Sequence, residues 1–255
     1  MIKIRLNFYL LFIFCIFSCN ANALDSKYKP TIKSFIDLVK SNNRNAIADH
    51  ITYPLNREYP IPSIKNKQQM LKRFDEVFDE SLLKSIINSD IEKDWDDVGW
   101  RGIMLSSGWL WLDYDGKLIA VNYQSDAEKT IKAKLINEQK NALHPSLKNY
   151  VAPVLEWETS KFRIRIDDLG NQKFRYAAWP LGKSTSDKPD LVLLNGKVTF
   201  EGSGGNHFYT FSKGKYQYQC DVNVIGESSV PAGSLSVYKE GKLILNDEVI
   251  KVLGN

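Results

Sequence analysis

Apolar positions along this chain change their spacing three times, and each change predicts a different kind of element. From Phe8 to Phe17 they run without a break. From Ile32 they recur as Ile32, Phe35, Ile36 and Val39, the i, i+3, i+4, i+7 stripe of an amphipathic helix. Ile47 and Ile51 belong to a short second helix, and Tyr53-Pro54-Leu55 is extended because proline disfavours the helical region for the residue before it. Asn66 with Gln69 three residues on forms a capping pair, opening a helix in which Met70, Phe74, Val77 and Phe78 share a face. Leu82, Leu83, Ile86 and Ile87 keep the helical period to about Ser89, and the acidic stretch Glu92 to Asp97 reads as a loop.

The period then shortens to two. Arg101 to Leu105, Trp109 to Leu112 and Lys117 to Tyr123 read as strands, joined through Ser106-Ser107-Gly108 and Asp115-Gly116. Ser125, with Glu128 three residues later, caps a further helix carrying Ile131 and Leu135, which ends before His144-Pro145. Beyond about residue 155 the pattern is entirely β. Phe162, Ile164 and Ile166 alternate with Arg163 and Arg165, and turns are marked at Leu169-Gly170-Asn171, Lys213-Gly214 and Glu240-Gly241. Asn195-Gly196 predicts a tight hairpin between Leu191–Leu194 and Lys197–Glu201. The expected fold is therefore α+β: N-terminal helices packed on a curved antiparallel sheet, then a small all-β sandwich or barrel. The expected division is a signal peptide over 1–23, an α+β cone-like domain over 24–145 and an antiparallel β domain over 155–255.

The N-terminal run is too short to span a bilayer, which takes roughly 20 apolar residues. Lys3 and Arg5 precede it and Ala21-Asn22-Ala23 follows, so the segment reads as a cleaved export signal and places the chain in the periplasm. Ile16-Phe17-Ser18-Cys19 offers a competing reading, a lipid anchor on Cys19. No second apolar stretch of spanning length follows. The formal charge is +4, of which Lys3 and Arg5 leave with the signal, and the remaining cations are interspersed with acids. That is not the basic field of a nucleic-acid binder. Cys15 and Cys19 also lie in the signal, leaving Cys220 without a disulfide partner. Cys220 falls on the apolar face of the alternating run Tyr216–Val224 and reads as a buried strand residue.

The residues Phe35-Ile36-Asp37-Leu38-Val39, Ala46-Ile47-Ala48, Tyr53-Pro54-Leu55 and Gly108 to Val121 together resemble the cone-shaped nuclear-transport-factor-like superfamily over about residues 28–140. The resemblance implies a sheet wrapped around helices to form a pocket, used for enzymology in some members and for binding in many. The Asp-His pairs of its catalytic members have no counterpart: His50 lies in the early helical region, and no other histidine precedes His144. The segment Gly202-Ser203-Gly204-Gly205-Asn206-His207-Phe208-Tyr209 is similar in composition to the inserted loop of bacterial envelope lysozyme inhibitors, which are small β-barrels.

Candidate chemistry is sparse. The glycines of that segment suit a recognition loop or a wide hairpin; a phosphate cradle would need a helix to follow, whereas Phe208 onward reads as a strand. His207 lacks Cys or His neighbours at metal-ligand spacing, and Ser203 lacks the Gly-x-Ser-x-Gly elbow of a hydrolase. Trp109 and Trp111, two apart in a strand, share a face that either packs the core or holds a partner. The expected binding residues are Ser203, Asn206, His207, Tyr209, Trp109 and Trp111, with no catalytic residue, no metal and no cofactor. The expected partner is a protein or an envelope component, with no nucleic acid. The alternatives are a periplasmic enzyme using Arg101, Asp113 or Asp115 in the N-terminal cone, and an envelope assembly factor.

Overall fold

The computed structural model describes residues 24–202, 204–224 and 230–253. The expected signal peptide, with Cys15 and Cys19, and the expected site residue Ser203 lie outside the described residues. The chain is α+β, combining helices with two antiparallel sheets that share no strand.

The N-terminal helices are α1 (Lys29–Lys40), α2 (Arg44–Asp49), α3 (Lys67–Lys72), α4 (Phe74–Val77) and α5 (Glu80–Ile87). Short polar side chains start α2, α3 and α5 by accepting the backbone N–H three residues on: Asn43 from Ala46, Asn66 from Gln69 and Asp79 from Leu82. A four-stranded sheet follows in sequential order: β1 (Trp95–Asp97), β2 (Ile103–Leu105), β3 (Leu110–Leu112) and β4 (Leu118–Val121). Its inner face, with Trp95, Ile103, Leu105, Leu110, Leu112, Leu118 and Val121, joins Ile32, Phe35, Phe74, Phe78 and Leu82 of the helices in one core. The Phe35 and Trp95 rings meet edge to face in it. β1 corrects the expected loop over Glu92–Asp97. Trp95 is buried and sits opposite Leu105, so one apolar residue pairs the acidic segment to the sheet.

Helix α6 (Asp126–Ala142) leads to the β segment, with Ser125 Oγ accepting the Glu128 N–H. Eight strands then form a closed barrel in which every strand pairs with its sequence neighbours: β5 (Ala152–Thr159), β6 (Phe162–Asp168), β7 (Phe174–Pro180), β8 (Leu191–Phe200), β9 (His207–Lys213), β10 (Tyr216–Val222), β11 (Gly233–Lys239) and β12 (Lys242–Val252). Pairing of β12 with β5, Val249 opposite Thr159, closes the ring and removes the sheet edges. The interior is packed by Trp157, Ile164, Ile166, Tyr176, Tyr209, Phe211, Cys220 and Leu235 among others. Burial pushes the Cys220 thiol far above its ordinary range, so it is an inert core residue.

The hairpin predicted at Asn195-Gly196 does not form. Leu191–Phe200 is one strand, and the dipeptide is a corner within it. Asn195 adopts φ 60°, the ladder to β7 shifts register there, and beyond it the strand pairs with β9. A Cβ on Gly196 would lie 2.1 Å from the buried Phe211 ring, so the glycine makes room for that ring while Asn195 supplies the bend.

The outer wall of β5, β6 and β7 is covered by α6 and residues 143–150. Leu143, Leu147 and Tyr150 pack there on Ala177 and Trp179. Beneath this cover runs a chain of charges. Arg165 donates through Nε to Asp167 at 2.7 Å and through Nη1 to Glu156 at 2.9 Å, and Arg175 Nη2 donates to Asp167 at 2.6 Å. Gln139 of α6 accepts from Arg165 Nη2 and donates to the Tyr59 hydroxyl, both at 3.1 Å.

Candidate functional site

Antiparallel closure gathers the start of β5, the start of β9, the end of β10, the start of β11 and the end of β12 at one mouth of the barrel. A cleft of about 350 Å³ opens there. His207 and Tyr209 form one wall, Leu155 and Trp157 another, and Val222, Ala232, Val252 and Leu253 complete the apolar lining. Tyr59 reaches the cleft from the N-terminal part of the chain.

Each wall has a local cause. Trp157 lies against Gly233, where a Cβ would meet the indole at 2.6 Å; only a bare backbone lets the ring pack across β11. Leu253 is held over β5 by its N–H donating to the Glu156 carbonyl at 2.8 Å. Glu156 is masked from the cleft electrostatically, because Arg163 and Arg165 engage its carboxylate oxygens. The Tyr209 and Tyr59 hydroxyls keep their protons. Burial, with the nearby Asp168 charge, pushes Tyr209 up to about 12. Burial also raises Tyr59, against the opposing pull of the Arg165 charge. The lining is therefore an apolar surface with neutral phenols, suited to holding a side chain or small body through shape and hydrogen bonds.

Of the segment 202–209, His207 and Tyr209 line the cleft. Asn206 accepts the Val224 N–H through Oδ1 at 2.9 Å, while its own carbonyl accepts from Glu201 N–H at 2.8 Å. It thereby ties the β8–β9 connection to the β10–β11 connection. His207 Nδ1 lies 2.8 Å from the Gly205 carbonyl, and its ring touches those of Phe200 and Tyr209. Tyr209 is buried, with its ring edge-on to Phe174. Of the residues singled out in the sequence, the structure thus brings together His207 and Tyr209, with Asn206 buttressing them.

Trp109 and Trp111 stand elsewhere, on the outer face of the four-stranded sheet. Across that face Asp96, Met104, Trp111 and Ala120 pair in a row. Trp109 is exposed against Tyr123, and Trp111 is half-buried under Arg101 with Nε1 bonded to the Gly108 carbonyl. Asp113 accepts the N–H groups of Asp115 and Lys117 and so shapes the β3–β4 turn. Among the described residues, no group of three His, Cys, Asp or Glu side chains is placed to hold a metal ion.

Sequence reasoning missed Tyr59, Trp157, Val222, Ala232, Val252 and Leu253. Leu155 and Trp157 alternate with Glu156 and Glu158, the signal that could have marked Trp157 as a core aromatic. The others meet only through barrel closure. Comparison with family models, curated proteins and solved structures gives no match.

Proposed function

We propose that this chain is an exported, non-catalytic binding protein of the bacterial periplasm, of inhibitor or immunity type, directed at a lytic enzyme or toxin. Export rests on the Lys3/Arg5 region, the Phe8–Phe17 run and the Ala21-Asn22-Ala23 site. Binding rests on one observation, the apolar cleft at the barrel mouth with His207 and Tyr209 on its wall. Its 350 Å³ is at the small end of ligand pockets, a size suited to one or two projecting side chains of a protein partner. The similarity of residues 202–209 to the inserted loop of envelope lysozyme inhibitors supports the same partner class. Among the described residues no helix is long and apolar enough to cross a membrane, which agrees with a chain free of transmembrane helices there.

In the reading as an enzyme with an N-terminal cone, the substrate would enter the space between the four-stranded sheet and its helices. That space is packed with Phe35, Phe74, Phe78 and Trp95, which favours a scaffold role for this part.

The test is capture by the immobilised chain from periplasmic extract, followed by measurement with the purified partner. His207→Ala and Val252→Glu should each weaken binding at least about tenfold, which is 1.4 kcal/mol, with little change in thermal stability. Binding that survives both substitutions but is lost in Trp109→Ala would move the interface to the outer sheet face and overturn the cleft.

A further inference from the structure

Four exposed apolar side chains border the barrel mouth that holds the cleft. Phe200 is 67% exposed, Val224 59%, Val230 46% and Val252 36%. Phe200 pairs with His207, and the Val224 N–H is tied to Asn206. Val230 precedes Pro231, whose carbonyl accepts from Asn223 of the cleft wall, and Val252 pairs with Trp157. Large apolar side chains left exposed together mark an interaction surface.

The wall itself selects what enters. Among the described residues Glu156 is the one carboxylate of the lining, and Arg163 and Arg165 engage its two oxygens. No Lys or Arg lines the cleft among those residues, so a charged group finds no free counter-ion there. One acceptor does stand open. His207 Nδ1 lies 2.8 Å from the Gly205 carbonyl. A carbonyl only accepts, so Nδ1 carries the ring proton, and in the neutral imidazole Nε2 keeps its lone pair. His207 belongs to the cleft wall and Gly205 does not, so the ring edge away from Gly205, which bears Nε2, is the edge turned to the cleft. Nε2 has no hydrogen bond to a described residue. The buried polar side-chain atoms without a partner among the described residues are Arg175 Nε and Asp247 Oδ2, so Nε2 is reached from solvent. An apolar body with one donor matches Leu155, Val222, Val252 and this nitrogen together, and tryptophan and tyrosine combine the two.

We infer, on the reading of the cleft as a binding site, that its occupant is a neutral aromatic side chain of a protein partner, a tryptophan or tyrosine, whose ring N–H or O–H donates to His207 Nε2. Apolar residues beside it in the partner cover Phe200, Val224 and Val230. The probes are N-acetyltryptophanamide and its indole-N-methylated analogue, alike in body and different in the donor, with N-acetylleucinamide as the apolar control. Followed by NMR, the tryptophan probe should shift Trp157, Tyr209 and Val252 and bind about fivefold more tightly than the methylated one. His207→Phe keeps a ring beside Phe200 and Tyr209 and removes the acceptor. It should erase that preference and leave the methylated probe within about twofold. The preference in the unaltered chain is itself a test should the variant misfold. Equal affinity for the two tryptophan probes, a preference that persists in His207→Phe, or a leucine probe as tight as tryptophan each overturns the inference; the cleft reading then stands, since the probes still occupy the cleft. Shifts from none of the three at this mouth also overturn the inference, and the effect of Val252→Glu on partner capture then decides the cleft reading separately.

Discussion

Arg57 and Glu128, 71 residues apart, meet as an ion pair with both side chains closed off from solvent, Nε to Oε1 at 2.6 Å. The same guanidinium donates to the backbone carbonyls of Val121 and Tyr123. One side chain therefore fastens the segment between α2 and α3 to the end of β4 and to the first turn of α6. Glu128 is also well placed for the positive end of that helix.

Removing one partner strands the other charge in the interior, which typically costs about 3–5 kcal/mol. Glu128→Ala should therefore lose that much stability in urea unfolding, whereas Arg57→Met combined with Glu128→Leu should lose less than Glu128→Ala alone. A loss under about 1 kcal/mol for Glu128→Ala would mean that the pair is solvated in solution.

Gly196 is predicted to resist substitution. Its φ is not the reason; the Phe211 ring occupies the space of a side chain. Phe211 is buried and cannot move aside, so Gly196→Ala should cost about 1–3 kcal/mol through overpacking. Asn195→Gly, which keeps the left-handed bend, should change stability by much less. Equal costs at the two positions would contradict this division of labour. Chemical denaturation of both variants decides it.

These two sites mark where the sequence could and could not be read. Capping is local, so Asn66 with Gln69 and Ser125 with Glu128 announced their helices, and the bonds are found at 3.0 Å. Alternation from Phe162 onward announced strands. It did not announce that Asn195-Gly196 bends a strand instead of ending it, because both outcomes use the same left-handed residue. The difference lies in Phe211, fifteen residues away. Arg165 and Asp167 alternate with Ile164 and Ile166 as an exposed face would, yet they are buried, because α6 covers that wall. The candidate site was legible only as His207 and Tyr209, whose spacing of two gives them one face. Trp157, Leu253 and Tyr59 join them through β12–β5 pairing and packing of distant segments, for which no local pattern exists.

Stability should fall on mild acidification because of His50. Partial burial, and then the nearby Lys117 charge, hold its imidazole below the ordinary 6.5, against the weaker pull of the Gly116 carbonyl and Asp113. With the folded value depressed, the unfolded chain binds the proton more readily. His50 thus contributes stability above 6.5 that is lost as pH falls through the window below it. The thermal midpoint should drop between about pH 7 and pH 5, and His50→Gln should flatten that dependence. An unchanged slope in the variant would assign the effect to other groups.

The contact between α6 and the barrel gives the last prediction. Gln139 is held in one orientation by two bonds: its carbonyl oxygen accepts from Arg165 Nη2, and its amide nitrogen donates to the Tyr59 hydroxyl. The charges beneath it are Arg163, Arg165 and Arg175 against Glu156 and Asp167, an excess of one positive charge. Gln139→Leu keeps the size but leaves a buried guanidinium nitrogen and a phenol unpaired, at about 1–3 kcal/mol. Gln139→Lys adds a cation where the cluster is already cationic, so it should cost more than Gln139→Leu. Gln139→Glu loses the bond to Tyr59 but places a negative charge beside Arg165, and should be the mildest of the three. The order Glu, Leu, Lys in increasing destabilisation is the signature of an electrostatic latch. Because the latch joins α6 to the barrel wall, Gln139→Lys should also speed proteolysis of the connecting residues 143–151. Equal costs for Leu and Lys, with no change in cleavage there, would show that Gln139 only fills space.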